Sequence, residues 1–160
     1  MAGGQVKLRN GADPMTIRVM RLEDYDQVWA LWMSSKNMGF NHLDDSREGI
    51  TAYLRRNPAT SFVALDGEKV IGVILAGHDG RRGFIHHACV AEACRGRGIG
   101  TELLNHALAA LEAEGIHKVA LLVFHRNEAG NAFWEKNGFT VREDVAYRNR
   151  SLTELIRIDT

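Results

Sequence analysis

Between Ala93 and Leu104 the chain reads ACRGRGIGTELL. Its segment Arg95-Gly96-Arg97-Gly98-Ile99-Gly100 sets three glycines and two arginines directly before a leucine-striped stretch. If that stretch is a helix, its first turn carries unpaired backbone N–H groups and about half a positive charge. Glycine lets a backbone approach a ligand with no Cβ in the way, and arginines add charge from the side. The arrangement suits phosphate or pyrophosphate. A P-loop needs G-x-x-x-x-G-K-[ST], and no such lysine stands here. A dinucleotide fingerprint counted from Gly96 finds Gly98 in place but Thr101 where the third glycine belongs. A tight glycine turn with solvated arginines is the plain alternative.

Other residues capable of chemistry lie on both sides of the turn. His86 and His87 are neighbours in the apolar run Phe84–Ala91. Imidazole titrates near neutral pH and suits a base acting through water. Strand alternation predicts that one faces the cleft and the other the opposite side of the sheet. Tyr147, in VAYRNRSL, is a candidate acid or a packed strand aromatic. Cys89 and Cys94 have no His–Asp partner at a telling spacing and read as small core or loop residues. His106, His117 and His125 share no ligand spacing with one another or with the cysteines, so no metal is expected. Asp44 and Asp45 in SKNMGFNHLDD are placed to attract a cationic amine or to cap the next helix. Arg55-Arg56 reads as a solvated helix end beside the dipole's negative pole.

The elements that must position these residues follow from periodicity. Asp24 is placed to cap a helix with Val28, Leu31 and Trp32 on one face. Ser46 is placed to cap a second, with Ile50, Tyr53 and Leu54 inward, and Asn57-Pro58 stops it. Three strands are predicted over Ser61–Leu65, Val70–Ala76 and Phe84–Ala91, joined by Asp66-Gly67 and Asp79-Gly80 turns into an antiparallel meander. Leu103, Leu104, Ala107, Leu108 and Leu111 follow helical spacing, with Gly115 as the stop. Lys118–Phe124 reads as a buried strand, expected parallel to Phe84–Ala91. A short helix over about Ala129–Lys136 and two closing strands within Phe139–Ile158 complete the order α-α-β-β-β-α-β-α-β-β. Residues 1–14, MAGGQVKLRNGADP, read as a loose leader, and 15–160 as a single domain.

Bulk properties exclude several classes. The 160 residues are 45% hydrophobic and 25% charged, ordinary for a globular domain. Basic and acidic residues cancel to a net charge of +0, which gives no support for nucleic-acid or membrane-surface partners. Two cysteines argue against a disulfide scaffold and for reduced thiols in a cytoplasmic setting. No apolar run approaches the 18 or so residues of a membrane span, and the leader lacks the apolar core of a signal peptide.

Two separated motifs make the chain recognisable. Arg95-x-x-Gly98-x-Gly100 follows a strand ending in Val90 and precedes a Leu-rich helix. Asn127 is followed seven residues later by Trp134, inside NEAGNAFWEKNGF. Together they resemble the acyl-CoA motifs of the Gcn5-related N-acetyltransferases (GNAT), over Thr16 to about Ile158. The resemblance implies an α/β fold with a mixed, mostly antiparallel central sheet, flanking helices and a splayed parallel strand pair. It implies acetyl-CoA as co-substrate and direct transfer of acetyl to a primary amine, on a small molecule or a protein. The backbone N–H groups of Arg95, Gly96, Arg97, Gly98, Ile99, Gly100 and Thr101 would hold the pyrophosphate. The backbone of Ala88, Cys89 and Val90 would pair with pantetheine, and Asn127 and Trp134 would complete the site. Homodimers are frequent in such a family.

The chain departs from the family where a tyrosine usually serves as acid: that position is Trp134, whose indole N–H is a donor only. Nor does Lys118–Phe124 carry the carboxylate that some members use as base. His86, His87 and Tyr147 are the remaining candidates. A catalytically weak acyl-CoA-binding sensor or interaction module therefore stands as the alternative to an enzyme, and a nucleotide-binding protein as the third.

Overall fold

Residues 4–6 and 15–160 are described by the structure, a computed structural model. The strands are β1 (Gly4–Val6), β2 (Met15–Val19), β3 (Phe40–Asn41), β4 (Phe62–Asp66), β5 (Lys69–His78), β6 (Gly83–Val90), β7 (Val119–Leu121) and β8 (Arg157–Ile158). The helices are α1 (Tyr25–Met33), α2 (Arg47–Arg56), α3 (Ile99–Ala113) and α4 (Glu128–Lys136). Six strands form one sheet in the order β1-β2-β4-β5-β6-β7. All its neighbours are antiparallel except β6 and β7, which run parallel with Gly83–Ile85 opposite Val119–Leu121. β3 and β8 pair separately. This is the mixed, mostly antiparallel α/β sheet with a parallel pair that the sequence led us to expect.

Strand alternation divides the core into two layers. Ala64, Ile74 and Ile85 face Ile99, Leu103, Leu104 and Leu111 of α3. Val63, Val73 and Leu75 face Val28, Leu31 and Trp32 of α1 and Ile50 of α2. Each fully buried Leu or Ile contributes about 1.5–3 kcal/mol. A Cβ on Gly72 would stand 2.9 Å from Leu103 Cδ1, so a glycine there lets α3 lie close against β5.

Both predicted helix starts are correct, but only one cap works as expected. Ser46 accepts from the Gly49 N–H at 3.0 Å. Asp24 precedes α1 without capping it. Its carboxylate instead accepts from both terminal nitrogens of Arg18, at 2.8 Å each, and from the Arg21 N–H, also at 2.8 Å. That fork ties the end of β2 to the start of α1.

Two expectations are corrected. The predicted order has no strand before the first helix, yet Met15–Val19 forms β2 beside β4. Within the expected leader, residues 4–6 pair with Met15–Ile17; the rest of the leader lies outside the described residues. The two closing strands do not form. Only Arg157–Ile158 is extended and paired, on Phe40–Asn41. Val141, Tyr147 and Leu152 are 68%, 66% and 96% exposed, so this segment has no covered face. Backbone groups of a strand need a partner edge, and β7, three residues long, offers none of that length.

Candidate functional site

The glycine turn begins where β6 ends. A short 3-10 turn, Glu92–Cys94, leads into it, and Gly96 and Gly98 adopt φ of 77° and 81°. These left-handed values favour glycine. No heavy atom lies within 4 Å of a Cβ built on either, so the requirement is conformational rather than steric. Gly100 is glycine for a different reason: a Cβ there would stand 3.3 Å from the Phe133 ring. The first amide taken up by α3 is that of Glu102, bonded to the Gly98 carbonyl at 3.1 Å. Among the described residues, the N–H groups from Gly96 to Thr101 have no backbone partner, and no side chain caps the helix. They form a concave set of donors at a helix start, a ready anion site. Arg97 is exposed, whereas Arg95 turns back so that its Nε donates to the Val90 carbonyl at 3.2 Å.

Beside the turn, β6 and β7 part company. Their pairing stops at Ile85 and Leu121, and Leu122, Val123 and Phe124 swing away to line a cleft of about 890 Å³. Cys89 and Val90 stay paired with Val73 and Gly72 of β5 on one edge, Ala88 lies in the irregularity before them, and among the described residues no strand lies on the other edge. The sheet thus opens a slot beside an unpaired backbone edge.

His86 and His87 occupy the wall of this cleft, and here alternation fails. Leu75 pairs with His86 and Val73 with Cys89, so β6 carries one residue more than β5 over this span. The extra residue is His87, at φ 46°. Such a bulge turns two successive side chains to one face. Both histidines line the cleft, with ring centroids 6.1 Å apart, instead of facing opposite sides of the sheet.

Their surroundings differ. His87 Nε2 lies 2.7 Å from Asp45 Oδ1. The Phe40 ring stands 4.5 Å from the imidazole, and Trp32 Nε1 donates to the His87 carbonyl at 3.3 Å. Asp45 is buried, and its other oxygen accepts from the Asn41 N–H at 2.8 Å. An ionised carboxylate only accepts, so His87 Nε2 carries the hydrogen and Nδ1 is left for other work. His86 sits between Phe84 and Tyr53, with ring centroids at 4.6 and 5.9 Å, and stays open to the cleft on one side. Desolvation, followed by the neighbouring His87, lowers its pKa to about 4, against a smaller pull from Asp45 and Asp44.

The other sequence candidates fall as follows. Asn127 caps α4, its side-chain oxygen accepting from the Gly130 N–H at 2.9 Å, and it lines the cleft as well. Trp134 lines the cleft with its ring held between Phe133 and Phe139. Tyr147 reaches the cleft from the irregular segment rather than from a strand. The buried thiol of Cys89 lies 2.8 Å from Ser35 Oγ, and burial pushes its pKa up, the opposite of an activated nucleophile.

The Asp45–His87 partnership and the Tyr53 wall were not legible from the sequence. Its place in the sequence offers Asp45 only as an attractor of amines or as a cap for the next helix. The carboxylate and the imidazole are 42 residues apart, and no spacing rule joins them. Among the described residues no helix is long and apolar enough to cross a membrane.

Comparison with known proteins agrees with this geometry. The family model described as acetyltransferase (GNAT) family matches residues 25–139. An acetyltransferase of Sodalis glossinidius is 31% identical over 140 residues, covering 88% of this chain and 97% of that protein. Among solved structures, Ard1 of Thermoplasma volcanium superimposes with a TM-score of 0.72 at 22% identity, over 80% of this chain and 84% of that one. A predicted acetyltransferase of Clostridium acetobutylicum, solved with acetyl-CoA, gives 0.67 at 18% identity, over 84% and 96%.

Proposed function

The chain belongs to the acetyltransferase (GNAT) family, and we propose that it moves the acetyl group of acetyl-CoA directly onto a primary amine. One observation carries this above all. The unpaired amides of the glycine turn follow directly on the end of β6, and the cleft where β6 and β7 part is lined by the Asp45–His87 pair. The fold neighbour solved with acetyl-CoA supports the choice of co-substrate.

Each part of the site has a task. The amides from Gly96 to Thr101 hold the pyrophosphate, with charge added by Arg97; the Arg95 amide, expected among them, is instead taken by the Glu92 carbonyl at 3.3 Å. The free edge of Ala88, Cys89 and Val90 pairs with the amide-bearing arm, and an N–H there receives the charge that develops on the carbonyl oxygen. Asn127 and Trp134 close the slot from the α4 side. Acetyl-CoA supplies an activated acyl carbon. The amine must arrive without its proton, although an alkyl ammonium has a pKa of about 10. Asp45 fixes the His87 tautomer, and Nδ1 takes that proton, directly or through water. His86, kept neutral by its surroundings, adds no positive charge to repel an incoming ammonium. Tyr147 is the acid for the departing thiolate. Residues 15–160 act as one domain, in the cytoplasm.

Calorimetric titration of acetyl-CoA into the wild type and Gly98→Glu tests this. A carboxylate at Gly98 meets the pyrophosphate with like charge. Binding to the wild type alone, together with thiol release in the presence of amines, is the expected result. No binding to the wild type well above micromolar concentration overturns the proposal.

A further inference from the structure

A second cavity, of about 560 Å³, adjoins the cleft and shares Tyr53, Arg56, Phe84 and His86 with it. Its far wall is basic. Arg56 comes from the end of α2, Arg82 from the turn before β6, and Lys118 from the residue before β7. None of the three forms an ion pair among the described residues, where four arginines, Arg18, Arg47, Arg142 and Arg157, do. Asp79 is the acidic residue of this wall; its Oδ1 accepts from the Arg81 and Arg82 N–H groups at 2.8 Å each, and against its one negative charge stand three cations. His78 is bonded to Glu114 at 3.0 Å. Three cations thus gather on one side of a chain whose net charge is +0.

The shared wall holds a second observation. Among the described residues the Tyr53 hydroxyl is buried with no hydrogen bond of ordinary length, although Ser61 lies beside it. It stands over Gly77, where a Cβ would lie 2.7 Å from it. A buried hydroxyl left unpaired is costly, and native structures rarely leave one so.

Charge therefore changes sign along one continuous channel. Asp44 and Asp45 lie in the cleft that holds His87, Arg82 and Lys118 line the second cavity alone, and Arg56 lines both. We propose that the acceptor is bipolar: a primary amine at the His87 end, joined to a carboxylate or other oxyanion that the Arg56–Arg82–Lys118 wall receives. This rests on the acetyl-transfer function proposed above and names the class of its acceptor. The five residue steps from His87 back to Arg82, just before β6, span roughly 16 Å of extended chain. A single amino acid is too short for that reach, whereas a chain the size of a tetrapeptide fills it. The guanidinium groups match a carboxylate's two oxygens.

The probes are two tetrapeptides with free amino termini, Ala-Ala-Ala-Glu with its carboxylates free and Ala-Ala-Ala-Gln amidated at its end. Each is titrated calorimetrically into the wild type and into an Arg82→Gln/Lys118→Gln double variant, in the presence of CoA, at low and high salt. The expected result is binding of the acidic peptide roughly tenfold tighter than the neutral one, a preference that shrinks with salt and disappears in the double variant. Equal affinity for the two peptides, no affinity for either, or a preference that survives in the double variant overturns the proposal. Acetyl-CoA binding is measured on the same preparations. If it is absent, the transferase function falls; if it is present without a charge preference, only the bipolar acceptor falls.

Discussion

His87 donates through Nε2 to Asp45 Oδ1 across 2.7 Å, and this bond ties the bulge of β6 to the loop before α2. Because Asp45 fixes the tautomer and ring orientation of His87, it is a positioning residue, and removing its charge should impair the proton transfer without touching the cofactor turn. Asp45→Asn should lower kcat about 10–100-fold, and His87→Gln about 10²–10⁴-fold. Acetyl-CoA affinity should hold within about twofold in both, since neither residue belongs to the turn. Thiol release measured across pH checks this. Unchanged kcat and an unchanged pH profile in both variants would remove the pair from the mechanism.

His86 lies one residue away and has a different environment. Desolvation and the neighbouring His87 lower its pKa from 6.5 to about 4. The folded protein then binds that proton less readily than the unfolded chain. The contribution to stability is complete above the unfolded value and is lost as pH falls from there toward the folded value. Long-range nitrogen–proton correlation spectra should show His86 titrating well below an ordinary histidine, and the midpoint should rise in His87→Gln. A midpoint at or above 6.5 would contradict the environment described.

Much of this was legible because local rules and tertiary structure agree. The apolar run Phe62–Leu65 ended by Asp66-Gly67 and the 3.6 period of Leu103, Leu104, Ala107 and Leu111 decide their elements before any packing does. The glycine turn was legible because φ values of 77° and 81° need glycine, which leaves a mark in the sequence. The bulge was not. His87 takes φ 46° without being glycine, held by Asp45 and by Trp32 on its carbonyl. Those bonds are long-range, so an alternation argument sends the two histidines to opposite faces. The segment 139–156 failed for the same kind of reason: its apolar residues suggest strands, but the partner edge is missing.

Gly98 and Gly100 separate backbone conformation from packing. At Gly98 an added Cβ meets nothing within 4 Å, so Gly98→Ala suffers only the left-handed backbone, about 1–2 kcal/mol. In a domain of this size that is a fall in Tm of roughly 2–8 °C. Gly98→Asn should lose less, because asparagine tolerates this region. Gly100→Ala instead presses on the Phe133 ring at 3.3 Å and should loosen the contact between α3 and α4. Thermal melts of the three variants rank these effects, and a Gly98→Asn less stable than Gly98→Ala would refute the conformational account.

Asp24 should make acid stability depend on the Arg18 fork. Burial alone would raise its pKa, but the bonds from Arg18 and from the Arg21 N–H outweigh it, and the net shift is downward. Its contribution is therefore present above the unfolded carboxylate range and is lost as pH falls through the lowered folded value. Asp24→Asn leaves Arg18 without its partner and should cost about 1–3 kcal/mol at neutral pH. Urea unfolding at pH 7 and near pH 3 checks the sign: the gap between wild type and variant should narrow in acid. A gap that is constant with pH would mean that the carboxylate charge contributes nothing.

By the motif resemblance Trp134 takes the place of a titrating acid, and an indole cannot fill that role. Its ring is held edge-on between Phe133 and Phe139, at centroid distances of 4.9 and 5.3 Å. Indole N–H does not titrate in the accessible range. If Trp134 only shapes the slot, Trp134→Phe keeps the aromatic packing and should leave kcat within roughly threefold, about 0.6 kcal/mol of barrier. Tyr147→Phe, which removes the hydroxyl at the cleft, should then cost more, and the alkaline limb of its pH profile should shift. The opposite ranking, with Trp134→Phe inactive and Tyr147→Phe unaffected, would mean that the indole N–H acts on the substrate as a hydrogen-bond donor. In that case the thiolate leaves without an acid from this chain.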